Sequence, residues 1–189
     1  MRHTLRSIVE ASGLKITPEA MDFHRSSIDS LVTEAWMRIR SMPFDKDKAY
    51  VNHTGDLNSI VLTKLCMDYA DRFTNDVVSK FPVFNHSVDM KIFKQMRILK
   101  SCPARTELVF SPAAKIAQTY NTQINGMTAD GPGLETMVVR GEAWPRKNMP
   151  LYLESGADDF RYVYPIFDWS QAQLWAAVLK YQLPLPTEA

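Results

Sequence analysis

Residues 52–65 read NHTGDLNSIVLTKL, a polar turn running into an apolar ladder. Asn, Thr, Gly and Asp are the residue types that turns require, because short polar side chains bond the local backbone and glycine accepts unusual dihedrals. Asp56 stands where a helix N-cap accepts from the first-turn amides. Behind it Leu57, Val61, Leu65, Tyr69, Phe73 and Val77 recur every four residues, which predicts an amphipathic helix stopping near Phe81-Pro82.

Upstream, Thr17 followed by Pro18 gives an N-cap with proline at the first helical position. Ile28, Leu31, Val32, Ala35, Trp36, Ile39 and Met42 then keep helical spacing up to Pro43. Downstream, Ile92, Met96 and Leu99 fit a short helix or a strand within residues 89–100. The character changes at Pro103. Residues 106–110 alternate, and 134–140, 151–153 and 160–166 are short β-branched or aromatic runs between turn signals, which predicts a small antiparallel sheet. Residues 125–133 hold three glycines and a proline and read as a loop or hairpin tip. A closing helix opens at Asp168 or Ser170, each with Gln three positions on, and carries Leu174, Trp175, Val178 and Tyr181 before Pro184 and Pro186. The expected class is α+β: a helical N-terminal half, a small antiparallel β-sheet in the middle and a closing C-terminal helix. We expect a single domain over 1–189, mainly helical over 1–102, strand-rich over 103–167, with the closing helix and tail over 168–189.

With 189 residues, 46% of them hydrophobic, the chain has enough apolar surface for its own core. Lys and Arg number 22 against 21 Asp and Glu, a net charge of +1, so no global field draws in nucleic acid or an anionic membrane. Cys66 and Cys102, the only cysteines, cannot build a disulfide framework. No secretory signal and no apolar stretch near the ~20 residues of a bilayer span is read. The expected location is cytoplasmic, or a virion assembled in a host cytoplasm.

The turn at 52–56 has a near-duplicate. Asn52-His53-Thr54-Gly55-Asp56 and Asn85-His86-Ser87-Val88-Asp89 share the form Asn-His-Ser/Thr-x-Asp. Brought together, His53, Asp56, His86 and Asp89 would offer nitrogen and oxygen ligands to zinc or a similar ion. The favoured reading is turn and cap chemistry with no metal and no cofactor. His24, near Asp22, reads as a boundary or surface histidine, although it has the chemistry of a general base. No nucleophile elbow, glycine-rich phosphate loop, dinucleotide fingerprint, His-Glu-x-x-His or Cys-x-x-Cys is present. In residues 140–150, Trp144 with Arg146 and Lys147 suits a protein interface, and Met127 on the glycine-rich loop joins them as a candidate contact.

Two stretches resemble the head-to-tail adaptor, or tail tubular, proteins of short-tailed bacteriophages. One is IDSLVTEAWMRIRSMPF, residues 28–44, a helix running into a Pro-Phe turn; the other is AQLWAAVLKYQLPLP, residues 172–186, an alanine-rich helix with a Leu-Pro ending. The resemblance implies a ring-forming virion component without catalytic residues. The leading expectation is therefore a non-enzymatic assembly protein, an oligomer at the neck or tail that contacts other protein subunits. The alternatives are a small protein-binding regulator or inhibitor module, and a metal-dependent hydrolase built on the His and Asp pairs.

Overall fold

The computed structural model describes residues 2–72, 83–84, 90–99, 119–131, 136–139, 142–145, 148, 150–154 and 160–186. The polar turn at 52–56 does lead into a helix, α3, Leu57–Arg72, whose expected stop near Phe81-Pro82 lies outside the described residues. What precedes the turn is a strand, β1, Ala49–Asn52. Its side chains are buried on both faces. Ala49 and Val51 join the main core, while Tyr50, 2% exposed, packs with Tyr120 and Phe160 on the other face.

Four further strands complete the sheet: β2 (Val83–Phe84), β3 (Thr122–Ile124), β6 (Tyr152–Glu154) and β7 (Arg161–Val163), in the order β2-β1-β3-β7-β6. The chain is α+β as expected, but the sheet is mixed and not purely antiparallel. The β1–β2, β1–β3 and β3–β7 pairs are parallel, and only β6 runs antiparallel, along β7. Register aligns Val51 with Ile124 and Ile124 with Val163, one apolar row facing the helices. The neighbouring row is Tyr50, Gln123 and Tyr162, where Gln123 Nε2 donates to the Tyr50 hydroxyl at 2.8 Å. A separate antiparallel hairpin pairs β4 (Thr136–Val139) with β5 (Glu142–Pro145). Residues 106–110 lie outside the described residues.

The helices fold as their caps dictate. Helix α1 spans Leu5–Ser12, closed by a Thr4–Ser7 capping box and by Gly13 at its C-terminus. Helix α2 spans Pro18–Ser41, with Thr17 accepting from the Ala20 amide. The ambiguous segment at 89–100 is a helix, α4, Met90–Ile98. The closing helix α5, Gln171–Tyr181, takes Ser170 rather than Asp168 as its N-cap, with Gln173 completing the box. Asp168 instead makes a bidentate pair with Arg38 of α2, at 2.5 and 2.7 Å.

Helix α5 packs on α1, α2 and α3. Ile28, Val32, Ala35 and Ile39 of α2, Ile60, Leu62 and Leu65 of α3, and Leu174, Trp175 and Val178 of α5 form one buried cluster with the apolar row of the sheet. Each Val, Leu or Ile among them stabilises the fold by roughly 1.5–3 kcal/mol through burial. Leu31 and Trp36, of the same helical stripe, sit half-buried at its margin, where Trp36 Nε1 donates to the Leu65 carbonyl at 3.0 Å. Among the described residues no helix is long and apolar enough to cross a membrane.

Candidate functional site at the carboxyl ends of β1 and β3

The sheet order has a physical consequence. From β1 the chain passes through α3 to β2 on one side, and β3 lies on the other side of β1. The connections therefore diverge between β1 and β3, and in open parallel sheets the crevice at such a reversal, outside the carboxyl ends of the strands, is where ligands are held. Two loops border it: 53–56, leading into α3, and 125–131, leaving β3.

The first loop is built from buried polar groups. Gly55 adopts φ 86°, a left-handed conformation that a β-carbon disfavours, and its amide donates to Ser59 Oγ at 3.0 Å. Asp56 caps α3 as expected, accepting from the Ser59 amide at 2.8 Å. His53 is fully buried. Its Nε2 lies 2.8 Å from Gln95 Oε1, and its Nδ1 lies 2.7 Å from Thr63 Oγ1. The proton positions follow from the partners. Gln95 Nε2 donates to the carbonyls of Gly55 and Leu185, so its Oε1 is the atom facing the imidazole. Oε1 only accepts, hence His53 Nε2 carries the proton. Burial pushes the imidazole pKa down, against the opposing pull of Gln95 and the Asp56 charge, and the ring is neutral. Nδ1 then accepts from the Thr63 hydroxyl.

The second loop is held by backbone and shape. Its Asn125 amide donates to the Val163 carbonyl at 2.9 Å and its Ala129 amide to the Phe167 carbonyl at 2.8 Å. Asn125 Oδ1 accepts from the Met127 amide, closing a turn. Gly126 lies against the first turn of α3: a β-carbon there would come within 3.0 Å of the Asn58 backbone. Asn58 Nδ2 donates to Thr128 Oγ1 at 3.3 Å, so the two loops touch directly. Thr54 and Asp56 are exposed beside this junction and Asn58 is half-buried. The first amides of α3 lack intrahelical acceptors and carry the positive end of the helix dipole. At the end of β1, the buried Asn52 Oδ1 has no hydrogen-bond donor. The amide end of α3 favours an anionic ligand.

The residues singled out from sequence are dispersed. His53 and Asp56 are both here, but both nitrogens of His53 are engaged by Gln95 and Thr63. His86 and Asp89 lie outside the described residues. Among the described residues no group of three or more His, Cys, Asp or Glu is placed to hold a metal. Met127 is half-buried against Leu153, Tyr164 and Phe167. Trp144 sits in β5 opposite Met137, and Arg146 and Lys147 are outside the described residues. His24 is half-buried on α2. Gln95, Thr63, Gly126 and Asn58 were not picked out by sequence reasoning; the glycine at 126 was the one visible signal.

No protein-family model matches the sequence. No curated protein sequence matches it either. Solved structures do share the fold. The FMN adenylyltransferase of Candida glabrata, bound to FMN and an ATP analogue, superposes with a TM-score of 0.59 at 12% identity, over 96% of this chain and 66% of that one. The phosphoadenylyl-sulfate reductase of Candida auris, in a phosphate complex, gives 0.50 at 12% identity over 92% and 91% of the two chains. Yeast FAD synthetase with FAD gives 0.50 at 10% identity, over 92% of this chain and 64% of that one. The chain thus spans about two thirds of the length of the adenylyltransferases.

These likenesses correct the adaptor resemblance and, with it, the expectation of a non-enzymatic neck or tail component in a virion: the fold is one carried by nucleotide-handling enzymes. The physical reason is plain. The two stretches that resembled the adaptors are α2 and α5, core helices packed on each other, and an apolar face ending in proline is what any such helix presents.

Proposed function

We propose that this chain is an enzyme that binds an adenine nucleotide across the carboxyl ends of β1 and β3 and acts on the phosphate chain attached to its adenosine. The observation that carries the reading is the junction itself. A parallel strand turns through a left-handed glycine into a capped helix, and the loop of the adjacent strand is held against that helix at the one residue without a side chain. This arrangement gathers backbone amides at a strand-order reversal, as phosphate binding requires.

The neighbours supply the ligand class. ATP analogue, FAD and phosphoadenylyl sulfate, named for three proteins of this fold, share an adenosine joined through its 5′ oxygen to a phosphorus centre. That common part is what comes to this chain. Thr54 and the first amides of α3 take the phosphate oxygens, and Asp56 places a carboxylate beside them, so a divalent cation should strengthen binding of a polyphosphate. The test is calorimetric titration of ATP, AMP and GTP with and without magnesium. Saturable ATP binding, strengthened by magnesium and weaker for GTP, is expected; a folded protein that takes up none of the three would end this reading.

A further inference from the structure

Gln95 is 4% exposed, and its single carboxamide joins three separate parts of the chain. From α4 it donates to the Gly55 carbonyl at 3.2 Å and to the Leu185 carbonyl at 3.0 Å, and accepts from His53 at 2.8 Å. Leu185 belongs to the segment after α5, which is anchored by the buried Leu183, whose amide donates to the Val178 carbonyl at 3.0 Å. The Gly55 bond fixes more than a carbonyl. A trans peptide is planar, so its C=O and N–H point in opposite directions, and holding the Gly55 oxygen fixes the direction of the Asp56 N–H. Gly55 is also the residue most able to let that peptide plane turn over, since glycine meets little steric barrier on either side.

We propose that Gln95 is a positioning residue that couples the seating of residues 183–186 to the orientation of the Gly55–Asp56 peptide, so that the segment after α5 sets the affinity of the nucleotide site. This rests on the reading of the β1–α3 loop as a phosphate site. When Leu185 is withdrawn, the carboxamide keeps His53 and Gly55 but loses the acceptor that steadies its Nε2 side, so its hold on the Gly55 carbonyl, the longest of the three bonds, loosens. The Gln95 contribution to fixing the Gly55 carbonyl is weakened, and the Asp56 N–H is held less firmly in its direction. The coupling is reciprocal: a phosphate on the loop holds the segment down.

The experiment compares the full chain with Gln95→Leu, with a chain ending at Leu183, and with both changes together. Hydrogen exchange of the amides of residues 56–59 is read without nucleotide, and ATP affinity by titration. Each single change should speed exchange at these amides and weaken ATP binding by about tenfold, and the double change should do no more than either alone. Gln95→Glu, which keeps the oxygen that accepts from His53 and removes the donor to both carbonyls, should reproduce the exchange effect if Gln95→Leu does not fold. Loop amides as protected in the shortened chain as in the full one, or additive effects, overturn the coupling. Failure of the full chain to bind ATP strikes the nucleotide reading alone, because the exchange measurement needs no ligand.

Discussion

The two loops that meet at the end of the sheet are fixed by different physics. Loop 53–56 is organised around side chains taken out of water, the neutral His53 between Thr63 and Gln95, with every link a directed hydrogen bond. Loop 125–131 is organised by main-chain bonds to Val163 and Phe167 and by the space left by a missing β-carbon. The first is sensitive to any change in donor and acceptor balance. The second is sensitive to volume. Both constraints converge on the same first turn of α3, which places that turn more firmly than either alone.

The sharpest way to break this contrast is His53→Ala. It strands Gln95 Oε1 and leaves an imidazole-sized gap, and should lower unfolding free energy by about 3 kcal/mol in denaturant titration. Asn125→Ala, in the other loop, removes only a half-buried amide and should cost about 1 kcal/mol. Equal losses at the two positions would erase the distinction.

Gly126→Ala probes the volume side. The new methyl meets Asn58 backbone at 3.0 Å, where nothing flexible can yield, so one loop must move. A loss of about 1–3 kcal/mol is expected, visible as a lower Tm. ATP affinity should fall with it even though no hydrogen bond is removed. Unchanged affinity would detach the 125–131 loop from the site.

The smallest effect is the response to acid. The folded pKa of His53 lies below its ordinary value of 6.5, so the unfolded chain binds the proton more readily. The sign is fixed: this contribution to stability is complete above about 6.5 and is lost as pH falls through 6.5 toward the folded value. Unfolding free energy measured from about pH 7.5 down to pH 5 should decline, and His53→Gln, itself less stable, should show a shallower decline. An identical slope in that variant would place the acid sensitivity elsewhere.

Much of the helical frame was legible from residue spacing, because caps and apolar stripes are local. Thr17 with Pro18, Asp56, and Ser170 with Gln173 mark helix starts by side chains that reach three residues forward. Strands β6 and β7 fell within runs read as strands, but the central strands β1 and β3 were not legible. Ala49-Tyr50-Val51-Asn52 is buried on both faces, so it shows no alternation, and it is too short to stand out from the polar turn that follows. Thr122-Gln123-Ile124 looks like loop because its polar Gln123 is satisfied by Tyr50, a partner 73 positions away. Parallel pairing leaves no hairpin signature in the chain, so the reversal between β1 and β3 became visible only in three dimensions. The same holds for the site. Asp56 was readable as a cap, whereas Gln95 is one polar residue on a short helix, and its meaning depends on what Gly55, His53 and Leu185 bring to it.

The packing of α2 on α5 also sets a schedule for synthesis. On a ribosome the apolar face of α2, with Ile28, Val32, Ala35 and Ile39, emerges well over a hundred residues before the Leu174–Leu179 stretch that covers it. The central strand β1 likewise waits for Thr122–Ile124 before its second edge is paired. The nascent chain must therefore carry an exposed greasy helix until Leu174–Leu179 emerges and an open strand edge until Thr122–Ile124 does, the condition in which chains adhere to one another or are held by chaperones. Slowing elongation over codons 125–170 should lower the soluble yield of this protein more than slowing it over codons 2–17.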